Sequence, residues 1–432
     1  MNLCVYGLWH LGSVTAGCLA SLGHNIIGLD EDKKKVRKLL LGKAPIFEPG
    51  LDNLIKNQIR KKRLNFTTNP QKALRNSKVI WVTLDTPINE ENGIANIKFV
   101  IDKIKAIVQK SPTKTFFLIS SQLPVGSIKL LEKWTLDLYP NKLIKFAYSP
   151  ENLVLGKSLK SFLKPDRIIV GIRDETSKSF LNKFLSTISK DIIWMSTESA
   201  EMVKHSINSF LATSIVFANE IASICEFVGA NAKEVEKGLK SEERIGQKAY
   251  LKPGSAFSGG TLGRDVEFLK IISKNKNIKL PLLESITKSN DNHKYWINNK
   301  ILENFSSLNG LNVSIWGLTY KTYTSTLRKS LMTNLCYWLI DQGANLYIHD
   351  FIIKFLPPKL KNKNKVKKIK YCLDFIEIID ILILGTEYDE YKIECKKIFS
   401  KCKKNLIVID PNSFLNDSFV NTNIQYKTVG LE

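Results

Sequence analysis

Residues Thr197–Val228 read TESAEMVKHSINSFLATSIVFANEIASICEFV. Their apolar side chains recur at steps of three and four, which is typical of a buried amphipathic helix. Thr197 is a suitable capping residue for its start, and Gly229 for its end. At 1.5 Å per residue this helix is roughly 45 Å long, wider than a small domain. We therefore expect it to connect globular units, with Lys204 and Asn208 one turn apart on a partly apolar face.

The N-terminal stretch combines a strand, a glycine turn, a helix and a second strand that ends in an acidic residue. The predicted strands are Asn2–Gly7 and Asn25–Leu29, and Asp30 follows the second. This order is that of a dinucleotide-binding unit, in which glycines let a pyrophosphate approach the helix N-terminus and the carboxylate accepts bonds from the ribose hydroxyls. A carboxylate repels the 2′-phosphate of NADP, so we expect NAD, bound through Gly7, Gly12 and Asp30.

The glycine turn departs from the usual fingerprint at its middle position. Gly7-Leu8-Trp9-His10-Leu11-Gly12 keeps the first and third glycines and has Trp9 at the second. Because the second glycine lets the backbone approach the phosphates, either the loop is displaced or the cofactor lies slightly differently. We interpret His10 as a loop residue, with a ligand or a general base as the less favoured alternative.

Two more junctions between strand and turn extend the α/β pattern. Val79–Leu84 leads into Asp85-Thr86-Pro87, and Phe116–Ser120 leads into Leu123-Pro124-Val125-Gly126. Strands that alternate with helices form a parallel sheet, and ligands bind at the carboxyl ends of its strands. The junctions are therefore candidates for ligand contacts, and the alternative is that they are simple turns.

Composition bounds the class of protein. A chain of 432 residues is long enough for about three domains, and an apolar share of 44% is ordinary for a globular protein. The net charge of +23 favours a solvated basic surface over a nucleic-acid interface, because no aromatic-interleaved patch accompanies the lysines. No charge-free apolar run reaches the ~18 residues of a membrane span, and no signal peptide is evident, so we expect a cytoplasmic protein without a membrane partner.

The seven cysteines indicate reduced thiols. They are scattered without a C-x-x-C pair, and several lie in apolar contexts. No metal site is therefore predicted.

The second half of the chain holds a glycine-rich loop and another α/β pattern. The loop Pro253–Asp265 enters a helix, and its dense glycines indicate backbone close to a ligand, unless the loop is a bare connector. From Asn312 onward, strands and helices alternate again without the dinucleotide fingerprint. We predict an α/β protein with two doubly wound, Rossmann-like domains joined by a helical central domain with a long connecting helix.

Many short motifs in one order resemble the nucleotide-sugar dehydrogenases. This family includes UDP-glucose 6-dehydrogenase and its UDP-N-acetylmannosamine and GDP-mannose relatives. The resemblance covers nearly the whole chain. Besides the glycine turn it is carried by Glu48-Pro49-Gly50-Leu51, Thr86-Pro87, Pro124-Val125-Gly126, Pro150-Glu151, Pro165-Asp166-Arg167, Ala200-Glu201-Met202-Val203-Lys204, Asn208, Asn219-Glu220, Arg244-Ile245-Gly246, Asp265, Gly317-Leu318-Thr319-Tyr320-Lys321, Arg328-Lys329-Ser330 and Thr386-Glu387-Tyr388.

The resemblance implies a division of labour between three domains. Residues 1–196 would form the NAD-binding Rossmann domain, and residues 197–300 a central helical domain that also makes a homodimer through the long helix. Residues 301–432 would form the Rossmann-like domain that holds the nucleotide sugar. In such enzymes NAD oxidises the C6 hydroxymethyl group of the sugar to an aldehyde and then to a carboxylate.

The family's functional residues carry over position by position. Lys204 and Asn208 match a pair that stabilises the oxygen on which negative charge develops, a task that suits a cation and an amide donor. Asp265 matches a carboxylate that works with an ordered water as base. Without the surrounding motifs, Lys204 and Asn208 would be interpreted as helix-surface residues. The further implied residues are Glu151 and Thr261 for catalysis, Gly7, Gly12, Asp30, Thr86 and Arg328 for the cofactor, and Glu151, Lys204, Asn208, Phe257, Gly259 and Lys321 for the substrate.

The chain departs from the family's pattern around the second oxidation. Thr261 stands where the stretch GYGGSCFPKD has its catalytic cysteine, and a threonine hydroxyl does not supply the thiolate that a thioester requires. Gln122 replaces a threonine near the hydrolytic water, and Leu155 replaces a second glutamate. These changes indicate altered rather than absent chemistry.

Three functions remain open from the sequence. The favoured one is oxidation of a UDP-glucose-like nucleotide sugar, to the aldehyde or the uronic acid, without a cysteine thioester. The alternative is a catalytically impaired regulatory homologue that binds sugar nucleotides. A nucleic-acid-binding protein rests on charge alone.

Overall fold

The computed structural model describes residues 1–87, 95–151, 153–258, 261–319, 322, 327, 330–361, 364–398, 401–419 and 424–431. The chain divides into two compact units, Met1–Ser206 and Ile207–Glu432. The division falls inside the long helix, so the helix belongs in part to each unit. The three-domain division at residues 196 and 300 stays a prediction.

The N-terminal unit contains a doubly wound sheet with helices on both faces. Its strands are β1 (Asn2–Tyr6), β2 (Asn25–Leu29), β3 (Leu64–Thr67), β4 (Val79–Val82), β5 (Lys114–Ile119), β6 (Leu143–Tyr148), β7 (Ile168–Ile172) and β8 (Ile192–Ser196). The strand order is β3-β2-β1-β4-β5-β6-β7-β8, and neighbours are parallel except β6 and β7, which join through one antiparallel pair, Tyr148 and Gly171.

In the part of this unit that the structure describes, eight helices connect the strands. They are α1 (His10–Ser21), α2 (Lys33–Leu40), α3 (Leu51–Arg60), α4 (Pro70–Leu74), α5 (Ile97–Lys110), α6 (Ser127–Leu138), α7 (Ser158–Leu163) and α8 (Glu175–Leu185). The side chains of Asp32, Asn69 and Asp174 cap the starts of α2, α4 and α8 by accepting backbone hydrogen bonds. Two hydrophobic clusters fill the space between the sheet and these helices, because buried parallel strands are apolar on both faces.

The C-terminal unit contains the second doubly wound sheet. Its strands are β9 (Asn312–Trp316), β10 (Asn345–His349), β11 (Val366–Lys368), β12 (Ile381–Leu384), β13 (Ile407–Ile409) and β14 (Gln425–Lys427), in the order β11-β10-β9-β12-β13-β14 and all parallel. Its helices after the long one are α10 (Ala232–Ser241), α11 (Thr261–Asn275), α12 (Pro281–His293), α13 (Trp296–Asn304), α14 (Leu331–Asp341), α15 (Pro358–Lys361), α16 (Asp389–Cys395) and α17 (Asn416–Phe419). The predicted α/β architecture with a helical centre is confirmed.

The long helix is α9 (Thr197–Val228), with the bounds that the sequence predicts. Many of its buried residues are polar, among them Lys204, His205, Asn208, Ser209 and Asn219. Its large apolar residues at 210, 217, 224 and 227 are exposed. Among the described residues α9 is the one helix whose length and hydropathy would allow it to cross a membrane, a test that core helices also pass. The buried polar side chains identify α9 as a core helix, because unpaired polar groups are costly in lipid.

Candidate active site

The glycine turn after β1 is tightly constrained by its neighbours. Gly7 has φ +95°, and its amide donates to Leu29 O at 2.9 Å. A Cβ on Gly7 would lie 2.8 Å from the backbone of Leu84, and one on Gly12 would lie 1.8 Å from Gly7 O. Both glycines are therefore required for the close packing of β1, α1 and the end of β4.

Asp30 lies at the end of β2, beside the glycine turn. Its carboxylate accepts hydrogen bonds from Leu8 N at 2.7 Å and Asp32 N at 3.0 Å, and it pairs with Lys35 Nζ at 2.7 Å. The residue is only 8% exposed, so the carboxylate is held in place by these partners at the edge of the surface. Sequence reasoning found Asp30 but missed Lys35, one of several lysines in α2 that the pattern does not distinguish.

Trp9 does not displace the glycine turn. Helix α1 starts at His10, and Ser13 N donates to Trp9 O at 2.9 Å in the ordinary manner of a first helical turn. The indole is 42% exposed, and Lys35 Nζ lies 5.9 Å from its ring centroid. The two glycines, the helix N-terminus and the carboxylate of Asp30 thus form the donor and acceptor set that a dinucleotide needs.

Hydroxyl groups link the strand ends along the carboxyl edge of this sheet. Thr83 Oγ1 donates to Gly7 O at 2.8 Å, and Thr86 Oγ1 donates to Gln122 O at 2.7 Å. Ser120 Oγ donates to Ser149 O at 2.6 Å. The turns after β1, β4, β5 and β6 therefore form one connected rim, where ligands bind in open α/β sheets.

A buried carboxylate joins three segments beneath this rim. Glu48 Oε2 lies 2.9 Å from His10 Nε2 and accepts from Gly156 N at 3.0 Å, and Glu48 Oε1 accepts from Ser158 N at 2.8 Å. Burial acts to raise the pKa of Glu48, but the hydrogen bonds from His10, Ser158 and Gly156 outweigh it and lower the pKa. The cluster fixes the start of α1 to the segment that follows Glu151.

Lys204 is buried at the N-terminal end of α9. Its Nζ donates to Glu151 O at 2.7 Å and pairs with Glu151 Oε1 at 3.2 Å. Glu151 also accepts from Leu153 N at 2.9 Å. The predicted catalytic residues Lys204 and Glu151 are therefore in direct contact.

Asn208 and Asp265 form a second buried pair, in the C-terminal unit. Asn208 Nδ2 donates to Asp265 Oδ2, and Asp265 has no exposed surface. Thr261 is the first residue of α11 and is exposed. A side chain at that position faces the positive end of the helix dipole, where a cysteine thiol would have a lowered pKa.

The backbone of the glycine-rich loop is held by four polar side chains. Asn219 Oδ1 accepts from Gly254 N at 2.9 Å, His293 Nε2 donates to Gly254 O at 2.8 Å, and Asn412 Oδ1 accepts from Ser255 N at 2.7 Å. Asn290 bonds both polar groups of the Phe257 backbone, at 2.9 and 2.8 Å. Burial lowers the pKa of His293, so its imidazole is neutral at pH 7 and acts as a fixed donor.

Three predicted site residues lie outside the described residues: Gly259, Lys321 and Arg328. In the described part of the chain there is no group of three or more His, Cys, Asp or Glu side chains arranged to hold a metal ion.

Known protein families and relatives match this chain from its first domain to its last. Residues 1–189 match the NAD binding domain of the UDP-glucose/GDP-mannose dehydrogenase family, residues 198–292 its central domain and residues 314–417 its UDP binding domain. The UDP-glucose 6-dehydrogenase of Rickettsia bellii is 31% identical over 446 residues, which cover 100% of this chain and 99% of that protein. A UDP-glucose 6-dehydrogenase of Bacillus subtilis is 28% identical, with coverage of 100% and 98%.

Solved structures share the fold. A UDP-glucose dehydrogenase from Pyrobaculum islandicum has a TM-score of 0.88 and 23% identity, over 100% of this chain and 98% of that one. A UDP-D-ManNAc dehydrogenase from Pyrococcus horikoshii has a TM-score of 0.85 and 20% identity, over 100% and 99%. The chain therefore belongs to the UDP-glucose/GDP-mannose dehydrogenase family, a family of oxidoreductases, and its cofactor is NAD.

Proposed function

We propose that this protein oxidises the C6 hydroxymethyl group of a UDP-glucose-like nucleotide sugar by a route that uses no cysteine thioester. NAD supplies the hydride acceptor for this reaction. The observation that carries the proposal is the contact of the Lys204 ammonium with Glu151, in a chain whose motifs and family agree on a nucleotide-sugar substrate. A buried ammonium that is already desolvated stabilises a developing negative charge more strongly than one in water.

Each polar pair has a distinct part in the proposed reaction. Lys204 stabilises the oxygen from which the proton departs while the hydride leaves the carbon. Asn208 donates an amide hydrogen to the same oxygen, and Asp265 orients that amide by accepting its other hydrogen. Asp265, through an ordered water, takes the proton from the hydroxyl group.

The thiols of the described residues are poor nucleophiles. Six of the seven cysteines are buried, and Cys402 is half-buried. Burial raises the pKa of Cys18, Cys336, Cys372 and Cys395 to about 12. Because the thiolate is the reactive form, iodoacetamide should leave the turnover of the folded enzyme unchanged. Inactivation that substrate prevents would contradict the proposed route.

The number of NADH molecules formed per sugar nucleotide tests how far the reaction proceeds. One NADH and an aldehyde of matching mass indicate a halt after two electrons, and two NADH with a uronic acid indicate direct oxidation of the hydrated aldehyde. The full chain should be offered UDP- and GDP-linked sugars in turn, with absorbance and product mass as readouts. Absence of NADH with every sugar nucleotide would overturn the proposal.

Substitution of Lys204 tests the assigned role directly. Lys204→Ala should lower kcat by about a thousandfold, since one charge-stabilising donor is worth that much in other enzymes, and should leave NAD binding intact. Lys178→Ala is the matched control, because Lys178 pairs with Glu175 on the surface and should leave kcat unchanged. If turnover of the Lys204→Ala variant survives, the role is wrong.

Two substitutions of the exposed residue Thr261 test whether the route is free of a covalent intermediate. Thr261→Ala should retain the first oxidation, because the proposed route forms no covalent bond between the sugar and residue 261. Thr261→Cys places a thiol at the first position of α11, where its pKa is lowered, and should form a covalent adduct detectable by mass when the aldehyde is supplied. Loss of the first oxidation in Thr261→Ala would contradict this assignment.

The exposed apolar side chains of α9 support a homodimer as a second part of the proposal. Phe210 is 71% exposed and Ile224 is 56% exposed, which is unusual for large apolar residues on a core helix. Phe210→Glu should shift the protein toward monomer in sedimentation velocity. Phe47→Glu is the control, because Phe47 is similarly exposed on another segment and should leave the assembly unchanged.

The competing function is a regulatory homologue that binds a sugar nucleotide without turning it over. Its support is Thr261 at the family's cysteine position; Trp9, the other departure in the sequence, leaves an ordinary glycine turn and helix start. A thermal shift with sugar nucleotides but no NADH would favour it. Either function is consistent with the cytoplasmic location that we propose for the protein.

A further inference from the structure

Trp9, Lys35 and Asp30 form a continuous row at the end of β2. Lys35 Nζ is 2.7 Å from Asp30 Oδ2 and lies 5.9 Å from the centroid of the Trp9 indole. The lysine thus connects the ring to the carboxylate. These contacts all lie in the N-terminal unit.

The row lies where the adenosine half of a dinucleotide binds. In a doubly wound sheet, the acidic residue after the second strand accepts hydrogen bonds from the adenosine ribose, and the helix after the first strand faces the pyrophosphate. Asp30 follows β2, and Trp9 immediately precedes α1. An indole that lies over Lys35 would therefore be on the adenosine side of a bound pyrophosphate.

The ring has surface available for a ligand. Trp9 is 42% exposed, although tryptophan side chains usually bury most of their area. The neighbouring residue Leu8 is fully buried, and its amide is used by Asp30 at 2.7 Å. In the glycine turn, the side chain of Leu8 therefore points into the core, and the indole of Trp9 is exposed.

We propose that the Trp9 indole forms an aromatic wall of the subsite for the adenosine half of NAD, with Lys35 fixing the orientation of the ring. A second glycine would bring only backbone to this place. Here the side chain supplies a stacking surface for a base or ribose, an interaction that aromatic residues make with every nucleobase. Trp9 is thus a positioning residue for the cofactor, and the inference does not depend on which sugar the enzyme oxidises.

Binding of ADP-ribose and NADH to the full chain tests this role. Calorimetry should show that Trp9→Gly, which restores the family's glycine, weakens both ligands about tenfold. Trp9→Phe keeps a stacking ring and should stay within about threefold of the wild type. Trp134→Phe is the matched control, because Trp134 also lies under a lysine, with Lys105 Nζ at 5.0 Å, but belongs to α6.

Fluorescence supplies an independent readout. ADP-ribose does not absorb tryptophan emission, so a change on its binding reports a changed environment of an indole, and the variants identify which one. The change should be present in the wild type and in Trp134→Phe and absent in Trp9→Phe. If the change persists in Trp9→Phe, or if Trp9→Gly binds ADP-ribose as tightly as the wild type or more tightly, the proposal is overturned. Trp9→Phe decides the matter even if Trp9→Gly does not fold.

Failure here would leave the proposed oxidation untouched. Both experiments are done without the UDP- or GDP-linked sugar substrate, and neither readout requires turnover. Conversely, these binding experiments test the contact between Trp9 and the cofactor even if the protein never produces NADH.

Discussion

The two doubly wound sheets turn the same corner after their first strands. Gly7 N donates to Leu29 O at 2.9 Å with φ +95°, and Gly317 N donates to His349 O at 2.8 Å with φ +91°. An aspartate at the end of the second strand of each sheet accepts a hydrogen bond from the residue after the glycine. Leu8 N donates to Asp30 Oδ2 at 2.7 Å, and Leu318 N donates to Asp350 Oδ2 at 2.8 Å. The two corners thus share the same backbone geometry.

The two aspartates differ in what occupies their remaining bonding capacity. Asp350 Oδ1 accepts the amides of Ile352 and Ile353 at 2.8 and 2.9 Å, and Thr319 N also reaches Oδ2 at 3.3 Å. Asp30 has the amide of Asp32 and the flexible side chain of Lys35 instead. A lysine side chain can rearrange for a ligand, whereas four backbone amides cannot, so the carboxylate of Asp30 is more available to a ligand than that of Asp350.

The helices behind the corners differ as well. Helix α1 begins three residues after Gly7, so its free N-terminal amides face the ligand edge. Helix α14 begins at Leu331, far along the chain from Gly317, and Ser330 Oγ accepts from Thr333 N as its cap. Free N-terminal amides of a helix suit a pyrophosphate, and in the described residues the corner at Gly7 has such a helix directly behind it, whereas the corner at Gly317 does not.

Substitution of the two corner glycines tests their equivalence and should have the largest effects. Alanine at Gly7 meets Leu84 Cα at 2.8 Å, and alanine at Gly317 meets Thr386 Cβ at 2.4 Å, each with a left-handed backbone. Each variant should lose about 4 kcal/mol of unfolding free energy in urea titrations. Gly23→Ala is the control, because Gly23 has φ +94° but open space around it, and should lose only about 1 kcal/mol. Losses no larger than that of the control would contradict the packing argument.

Substitution of the two aspartates tests their difference. Asp350→Ala should lose about 3 kcal/mol of unfolding free energy, because it leaves four backbone amides without their acceptor, and should keep NADH affinity. Asp30→Ala should lose only about 1 kcal/mol and weaken NADH binding at least about tenfold. Urea titration and calorimetry on both variants separate the two effects. A matching loss of NADH affinity in both would remove the distinction.

The N-terminal sheet is also extended by β7 and β8, which lead into α9, and buried Glu201 helps to hold that helix. Glu201 accepts from Gly126 N and from Ile128 N, at 2.6 and 3.0 Å. Burial raises the pKa of Glu201, and the two hydrogen bonds lower it. The effect of burial is the larger, and the pKa is about 7.

This raised pKa predicts a pH dependence that Glu201→Gln should remove. The folded state retains the proton of Glu201 while the unfolded state releases it near pH 4.5. The wild type should therefore lose about 2 kcal/mol of stability as the pH rises from about 5 to about 7. Parallel urea titrations of the wild type and the variant at several pH values measure this slope. Equal slopes in both proteins would show that Glu201 is ionised throughout.

Arg173, which follows β7, should give the smallest effect. Its guanidinium pairs with Glu198 at the start of α9 and with Glu132, and the Arg173 hydrogen bonds lower the pKa of Glu198 to about 2. These side chains are about one-third exposed, so Arg173→Met should lose only about 1 kcal/mol at pH 7. The folded pKa is lowered, so the loss should vanish as the pH falls from about 4.5 to about 2. A loss independent of pH would point to packing of the aliphatic stem instead.

Several elements were predictable because their signals are local. Helix α9 and strand β2 have the predicted bounds, since apolar periodicity and flanking polar or glycine residues specify where such segments start and end. The resemblance implied that Glu151 and Lys204 are both site residues, but their direct contact was found only in the structure. The roles of Gly259, Lys321 and Arg328 stay predictions, as these residues lie outside the described ones.

Other features had no local signal. The cluster of His10, Glu48 and Ser158 joins residues up to 148 positions apart, and nothing in the sequence pairs them. The side chain of Lys35 resembles those of its lysine neighbours until the end of β2 is brought beside it. These contacts depend on which loops the sheet order places together.

The sequence by itself determined the α/β architecture, the positions of β1, β2, β4, β5 and α9, and the dinucleotide corner with Asp30. Periodicity and glycine turns act over a few residues, so the order of the chain suffices to specify them. Only the tertiary structure decided that α9 buries Lys204 and Asn208 while it exposes Phe210 and Phe217, and that Trp9 lies over Lys35. Such choices depend on partners distant in sequence, because a buried polar group is stable only where the fold supplies its hydrogen bonds.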